Sequence, residues 1–318
     1  MADSTPQSLA DALATIIDGL ARTGYICNRQ TAIAVHLAAH LGKPILVEGP
    51  AGVGKTELAK AVAEMRGLPL IRMQCYEGLD ESKALYEWKY GKQLLYTQIL
   101  KDRLGASLAD APDLASAMER LAGVGDVFFS EQFLEARPLL RALQEEHGAV
   151  LLIDEVDKSD HEFEAFLLEL LSDFQVTIPE IGTISARTQP LVILTSNNIR
   201  DLGDALKRRC LYLRLDFPDQ RLEEKIVAAR VPEISATLRR QLVSFVQQLR
   251  QMDLKKLPSV SETIDWARAL LLLHVSELGH DIVESTLNIL LKYEADIESA
   301  QRQAGAAIAK AKTGMPVG

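Results

Sequence analysis

Gly49-Pro50-Ala51-Gly52-Val53-Gly54-Lys55-Thr56 satisfies G-x-x-x-x-G-K-[ST] at every position. A short β-rich run, Pro44-Ile45-Leu46-Val47-Glu48, leads into it, and an alanine-rich helical pattern continues to about Met65. The glycines let backbone amides turn toward one concavity, where several N–H groups can meet phosphate oxygens. The helix that follows adds its positive N-terminal end. In this setting Lys55 reaches the β- and γ-phosphates of a nucleotide, and the Thr56 hydroxyl can ligate magnesium. Average composition gives such a string by accident in roughly one chain of this length in a hundred, and the flanking strand and helix argue further against accident.

Working outward, Leu70 to Cys75 reads as the next strand, so strand, turn, helix and strand open a doubly wound α/β domain with a parallel sheet. Ala149-Val150-Leu151-Leu152-Ile153-Asp154-Glu155 is a hydrophobic strand ending in two carboxylates. Open α/β sheets bind ligands at the carboxyl ends of their strands, which turns both acids toward the phosphate site. Asp154 would hold magnesium through water, and Glu155 would orient or deprotonate the attacking water. Alone, such a pair is more often a solvated loop; the glycine-rich string upstream favours the functional reading.

Leu191 to Leu194 is another apolar strand, and it ends in Thr195-Ser196-Asn197. Asn197 either hydrogen-bonds the attacking water beside Glu155 or caps a helix near Asp201. Asp204-Ala205-Leu206-Lys207-Arg208-Arg209-Cys210 ends a short helix with three cations. These either complement the helix C-terminus or stabilise charge on a transferring phosphoryl group.

Elsewhere the sequence is less specific. Leu9 to Leu20 has helical spacing, and Asn28 is placed to cap a helix running to about Leu41. Tyr86, Trp88, Tyr90 and Tyr96 gather in an insert over about 78–130, with Gly91 placed to turn a hairpin. These aromatics serve either as packing or as a contact surface. A polar helix is expected near Ser107 to Leu121 and another from Phe133 to Glu146. Phe163 to Leu171 reads as an amphipathic helix, and Val176-Thr177-Ile178 with Thr183-Ile184 as a hairpin around Gly182. Beyond residue 218 the periodicity turns helical over Leu222–Ala229, Leu238–Met252, Ile264–Leu273 and Ile282–Tyr293. Ser259 and Glu262 have capping-box spacing. The expected organisation is therefore an α/β domain over 1–218, a small all-α lid over 219–300 and a mobile tail over 301–318.

The chain of 318 residues carries a net charge of −9, which gives no reason to expect a nucleic-acid surface. Only Cys27, Cys75 and Cys210 are present, which suits a reducing compartment and makes neither a disulfide framework nor a zinc site. Apolar runs are too short to span a bilayer and Asp3, Asp11 and Asp18 break up the start, so a soluble cytoplasmic protein is expected. His36 and His40 share a helix face without a third ligand in view.

The order of these motifs resembles the AAA+ ATPases: phosphate loop, Asp-Glu strand, hairpin, Thr-Ser-Asn strand, Arg-Arg helix and helical lid. The hairpin after Phe174 and the insert are similar to the MoxR branch. The strings Gln74-Cys75-Tyr76-Glu77-Gly78-Leu79-Asp80-Glu81, Ala84-Leu85-Tyr86-Glu87-Trp88 and Glu262-Thr263-Ile264-Asp265-Trp266-Ala267-Arg268 resemble CoxD-like chaperones, the subgroup associated with aerobic carbon monoxide dehydrogenase. The resemblance covers about residues 25–295. It implies ATP and Mg2+ as cofactors, Asn197 as the sensor-1 residue, and Arg209, neighboured by Arg208, as a finger acting on the adjacent subunit of a ring, usually hexameric. It also implies a client protein, here a molybdenum or copper enzyme, and a von Willebrand A domain adaptor on another chain. One departure stands out: Ser259-Val260-Ser261-Glu262 lacks the arginine usual at the start of the lid helix. Either Arg268 substitutes, or nucleotide binding relies less on the lid.

Three functions fit these residues: a ring ATPase that remodels or matures another protein, an AAA+ machine acting on nucleic acid, and a slow nucleotide-dependent assembly switch. The acidic balance disfavours the second. Intact Lys55, Asp154, Glu155, Asn197 and Arg209 disfavour the third.

Overall fold

The computed structural model describes residues 8–109, 113, 115–116, 118 and 128–313, with side chains at 81, 102–109, 304, 306, 310 and 313 left aside. Two helices come first, α1 (Leu9–Arg22) and α2 (Arg29–Leu41). Asn28 caps α2 as expected, accepting from Thr31 N at 2.9 Å. Five strands then form one sheet: β1 (Ile45–Glu48), β2 (Leu70–Gln74), β5 (Val150–Asp154), β8 (Leu191–Ser196) and β9 (Leu211–Arg214). Their spatial order is β2-β5-β8-β1-β9, and every neighbouring pair is parallel.

The apolar run of each central strand follows from burial on both faces, as a parallel sheet requires. Alternate residues feed two layers. Ile45, Val47, Val150, Leu152 and Ile193 join a core with α1, α2 and α3 (Lys55–Arg66). Leu46, Leu151, Ile153, Val192 and Leu194 join the opposite core, with α4 (Glu81–Leu85), α6 (Pro138–Gln144), α7 (His161–Asp173) and α8 (Asp204–Arg209). The register sets Gln74 opposite Asp154 and Glu48 opposite Ser196, so the carboxyl ends of β1, β2, β5 and β8 finish level.

The insert differs from expectation. Gly91 turns no hairpin; it lies inside α5 (Tyr90–Ala109). Instead β3 (Tyr86–Trp88) pairs antiparallel with a distant partner, β4 (Leu134–Ala136), with Trp88 opposite Leu134. The helix expected from Phe133 starts only at Pro138, because Glu131–Phe133 forms a 3-10 turn and β4 follows. The helix expected over Ser107–Leu121 falls largely outside the described residues. The second hairpin forms as read, β6 (Gln175–Ile178) against β7 (Gly182–Ser185), with Ile178 opposite Gly182.

After Asp219 the described chain is helical: α9 (Gln220–Arg230), α10 (Ala236–Leu249), α11 (Val260–Leu272), α12 (His280–Leu290) and α13 (Glu294–Thr313). These helices share a core of their own around Phe245, Trp266 and Leu287. Trp266 Nε1 donates to Thr286 Oγ1 at 2.9 Å, satisfying a buried indole. The capping box forms as its spacing suggested: Ser259 N donates to Glu262 Oε2 and Glu262 N to Ser259 Oγ. Glu223 is fully buried and accepts two bonds from Arg250, both 2.7 Å, with Gln247 and Thr263 donating as well. Within the tail expected over 301–318, residues 301–313 continue α13, which buries Ala300, Ala307, Ile308 and Ala311, and Gln248 Nε2 donates to Ala307 O at 3.1 Å. Small side chains let this helix lie close to α10. Among the described residues no helix is long and apolar enough to cross a membrane.

Candidate active site

The loop between β1 and α3 packs too tightly for a side chain at two places. A Cβ on Gly49 would fall 1.9 Å from Leu215 O, and Gly52, at φ +75°, would place one 2.5 Å from Ser259 Cβ. The second approach brings the cap of α11 directly onto the loop. A cavity of about 230 Å3 opens there, bordered by Ala51, Gly52, Gly54, Lys55, Thr56, Glu57, Asp154, Glu155, Thr195, Asn197 and Ser261. Gly49, Pro50 and Val53 complete the loop behind this lining.

Lys55 is buried, and its Nζ donates to Gly49 O and Pro50 O at 2.7 Å and to Asn197 Oδ1 at 2.8 Å. Burial lowers its pKa, and the nearby charges of Asp157, Asp154 and Glu155 act the other way. Its amine is therefore held among two loop carbonyls and the Asn197 side-chain oxygen.

Asp154 is buried at the end of β5. Its Oδ1 accepts from Thr195 Oγ1 at 2.6 Å and from Thr56 Oγ1 at 3.0 Å. Thr56 hydroxyl and Asp154 carboxylate are hard oxygen donors side by side, the chemistry magnesium selects, so these residues fit the metal the loop implies. On the other side of the carboxylate, Arg72 of β2 donates to Oδ2 from Nη2 at 2.6 Å and from Nε at 3.1 Å.

Glu155 follows in a left-handed conformation, φ +56° and ψ +49°, which is uncommon for a side chain of this kind. Its backbone N donates to Thr195 Oγ1 at 2.9 Å, and its carboxylate receives Asn197 Nδ2 at 3.2 Å, Gln74 Nε2 at 2.8 Å and Lys158 Nζ at 2.7 Å. Asn197 thus stands beside Glu155, and no helix starts at Asp201 for it to cap, since α8 begins at Asp204 with Gly203 as its cap. The Asn197 turn is fixed from below by buried Asp157, whose Oδ2 accepts from Asn197 N at 3.1 Å and Ile199 N at 2.9 Å.

Arg208 and Arg209 are exposed at the end of α8, and neither borders the cavity of its own chain. Glu164 of α7 positions this segment, accepting from Gly203 N at 2.9 Å and from Arg200. Arg268 makes an exposed ion pair with Asp265 at 3.6 Å and does not border the cavity. Ser261 borders the cavity instead, and Arg230 of α9 reaches Glu57 in the first turn of α3.

The aromatic cluster divides. Trp88 is 8% exposed and packs edge-on against Phe129 at 5.2 Å, whereas Tyr90 is 64% exposed. The His36 and His40 rings lie against each other, centroids 4.2 Å apart and tilted by 39°. Sequence reasoning assigned no role to Arg72, Thr195, Asp157, Glu57 or Arg230. Only Thr195 carried a signal, as a hydroxyl closing an otherwise apolar strand.

The model of the ATPase family associated with various cellular activities (AAA) matches residues 45–218, more than half of the 318 residues. The chain belongs to the AAA ATPase family. This AAA ATPase is 24% identical over 229 residues to the denitrification regulatory protein NirQ of Stutzerimonas stutzeri, covering 70% of this chain and 69% of NirQ. It is 27% identical over 224 residues to the gas vesicle ATPase GvpN of Haloferax mediterranei, covering 66% of this chain and 57% of GvpN. Among solved structures, the Thermotoga maritima RuvB Holliday junction branch migration motor aligns over 90% of this chain and 72% of its own, at 18% identity and a TM-score of 0.45. A score that low carries no functional weight.

Proposed function

We propose that this AAA ATPase is a MoxR-type protein that hydrolyses ATP with magnesium and uses the cycle to remodel a partner protein. The observation that carries the reading is the meeting of Glu155 and Asn197 at 3.2 Å beside Lys55, Thr56 and Asp154. Backbone N–H groups of residues 51–54 and the Lys55 amine bind the phosphates, Thr56 and Asp154 would hold the metal, and Asn197 orients Glu155 toward the attacking water. Magnesium, when bound, supplies charge to the phosphoryl oxygens. The left-handed backbone at Glu155, tied to Thr195, fixes the direction of the carboxylate.

Arg209 lies outside its own cavity, which supports a role at the neighbouring subunit's site in a hexameric ring. The helical region from Asp219 on would act as the lid, touching the loop at Gly52. The resemblance to CoxD-like maturation chaperones, together with similarity to NirQ and GvpN, supports a protein client, a molybdenum or copper enzyme, with a von Willebrand A domain adaptor. Among the described residues of the insert, Tyr90, Tyr96 and Phe129 are exposed aromatics available to grip it; buried Trp88 is not.

Mixed assemblies test the reading. Glu155→Gln retains binding of ATP and magnesium and loses hydrolysis, and Arg209→Ala binds ATP normally and loses about a thousandfold in turnover. Mixing the two variants restores part of the activity at interfaces where both intact residues meet. Wild-type turnover by Glu155→Gln removes the base assignment, and no recovery in demonstrably mixed rings removes the finger.

A further inference from the structure

Arg72 has no part in the reading above, yet its guanidinium sits on the carboxylate that reading gives to the metal. Nη2 and Nε both address the same oxygen, Asp154 Oδ2, at 2.6 and 3.1 Å. The other oxygen, Oδ1, accepts from Thr195 Oγ1 at 2.6 Å and from Thr56 Oγ1 at 3.0 Å, and the Thr56 hydroxyl has a longer contact with Oδ2 at 3.3 Å. The side chain of Asp154 is 4% exposed and that of Arg72 is 50% exposed. The acid is fixed, therefore, while the base lies on the solvent side and can swing away without unpacking the core. Its remaining bond within the cluster, Nη2 to Gln74 Oε1 at 2.9 Å, is to an exposed neighbour.

The pairing originates in the sheet. Arg72 and Gln74 are alternate residues of β2 and share a face, and the register places Gln74 opposite Asp154. A guanidinium two residues upstream reaches the carboxylate along the strand. A guanidinium beside Asp154 and a divalent cation held by Thr56 and Asp154 would repel each other at short range, with a protein dielectric on one side.

We propose that Arg72 is an internal counter-cation of Asp154 that competes with the magnesium ion, so that metal binding with nucleotide displaces the guanidinium from Oδ2. This rests on the proposed nucleotide site and goes beyond it, because it makes the metal affinity of the site adjustable from strand β2. The pair is a half-exposed ion pair, whose modest strength sets the size of the effect.

Manganese binding, followed by electron paramagnetic resonance with saturating non-hydrolysable ATP analogue, tests the proposal without requiring turnover. Arg72→Gln, which keeps a polar side chain and removes the charge, is expected to bind Mn2+ about fivefold more tightly than wild type. Arg72→Lys, which keeps the charge and loses the two-bond contact, should fall between them. Unchanged or weaker Mn2+ binding by Arg72→Gln overturns the proposal, because the guanidinium then supports Asp154 together with the metal. A second measurement needs no variant to fold for its readout: the Nε–H resonance of Arg72 in arginine-labelled wild type. It should persist on adding the analogue alone and shift on adding Mg2+, and persistence through both additions overturns the displacement. Failure of wild type to bind the analogue with Mg2+ at all would instead remove the nucleotide-site reading.

Discussion

Two arginine–carboxylate pairs of the same chemistry sit in the two parts of this molecule, and their surroundings differ. In the helical region Arg250 holds Glu223, with side chains 6% and 0% exposed. Gln247 and Thr263 saturate the acid, Arg250 Nε donates to Pro258 O at 2.8 Å, and its guanidinium lies 4.7 Å from the Phe217 ring centroid. Under the sheet edge Arg72 holds Asp154 from the solvent side alone. A pair whose every polar atom is used and whose water is excluded is architecture: neither partner can leave without stranding the other. A pair open on one side leaves its acid available for other cations. Burial of the base, more than the distance between the charges, separates the two.

The largest expected effect follows from that difference. Arg250→Ala leaves Glu223 buried without its cation and should reduce stability by about 3–5 kcal/mol. Arg72→Ala should change stability by no more than about 1 kcal/mol. Chemical denaturation of both variants, with helical content as the probe, checks this, and equal losses would break the comparison. A smaller effect is expected at Thr195, whose hydroxyl donates to Asp154 and accepts from Glu155 N. Thr195→Val keeps the shape and removes both bonds, and should cost about 1–2 kcal/mol and slow ATP hydrolysis with little change in ATP affinity. Loss of affinity equal to the loss of rate would place Thr195 with the phosphate binders.

The smallest effects concern the thiols. Burial pushes Cys75 and Cys210 up to about 12 from 9.0, with Asp154 adding to the effect at Cys75, and burial raises Cys27 to about 11. Each thiol stays protonated in the folded chain while the unfolded chain ionises from about pH 9. Stability from this source is therefore complete below pH 9 and falls as pH rises toward 11–12. Maleimide labelling at pH 8.5 should be slow at Cys75 and Cys210 in native protein and rapid in urea.

The parts legible in the sequence were those with short-range signals. The glycine string, the β-runs ending in Asp154 and Asn197, and the caps at Asn28 and Ser259 each state their structure within about eight residues. What stayed hidden depended on partners far along the chain. Strand β3 pairs with β4 across the insert, so a local reading took Gly91 for the turn. Strand β9 is only Leu211-Tyr212-Leu213-Arg214, and it forms because β1 offers it an edge. The alanines of α13 read as a loose tail because their small size gives little hydrophobic signal, although that size is what permits close helix packing. In the site, Arg72 and Asp157 are ordinary charged residues until the sheet register and the turn after β5 bring them to Asp154 and Asn197.

The β3–β4 ladder has a bearing on how this fold changes over evolutionary time. Trp88 and Leu134 are ladder neighbours, so the segment between them begins and ends at one point of the core. Closing a loop of twice the length adds only about 0.6 kcal/mol. Residues can therefore be gained or lost between these two positions while the five-stranded sheet and the carboxylates at its edge keep their geometry. Lineages sharing this sheet can diverge by lengthening, trimming or exchanging a single stretch of chain.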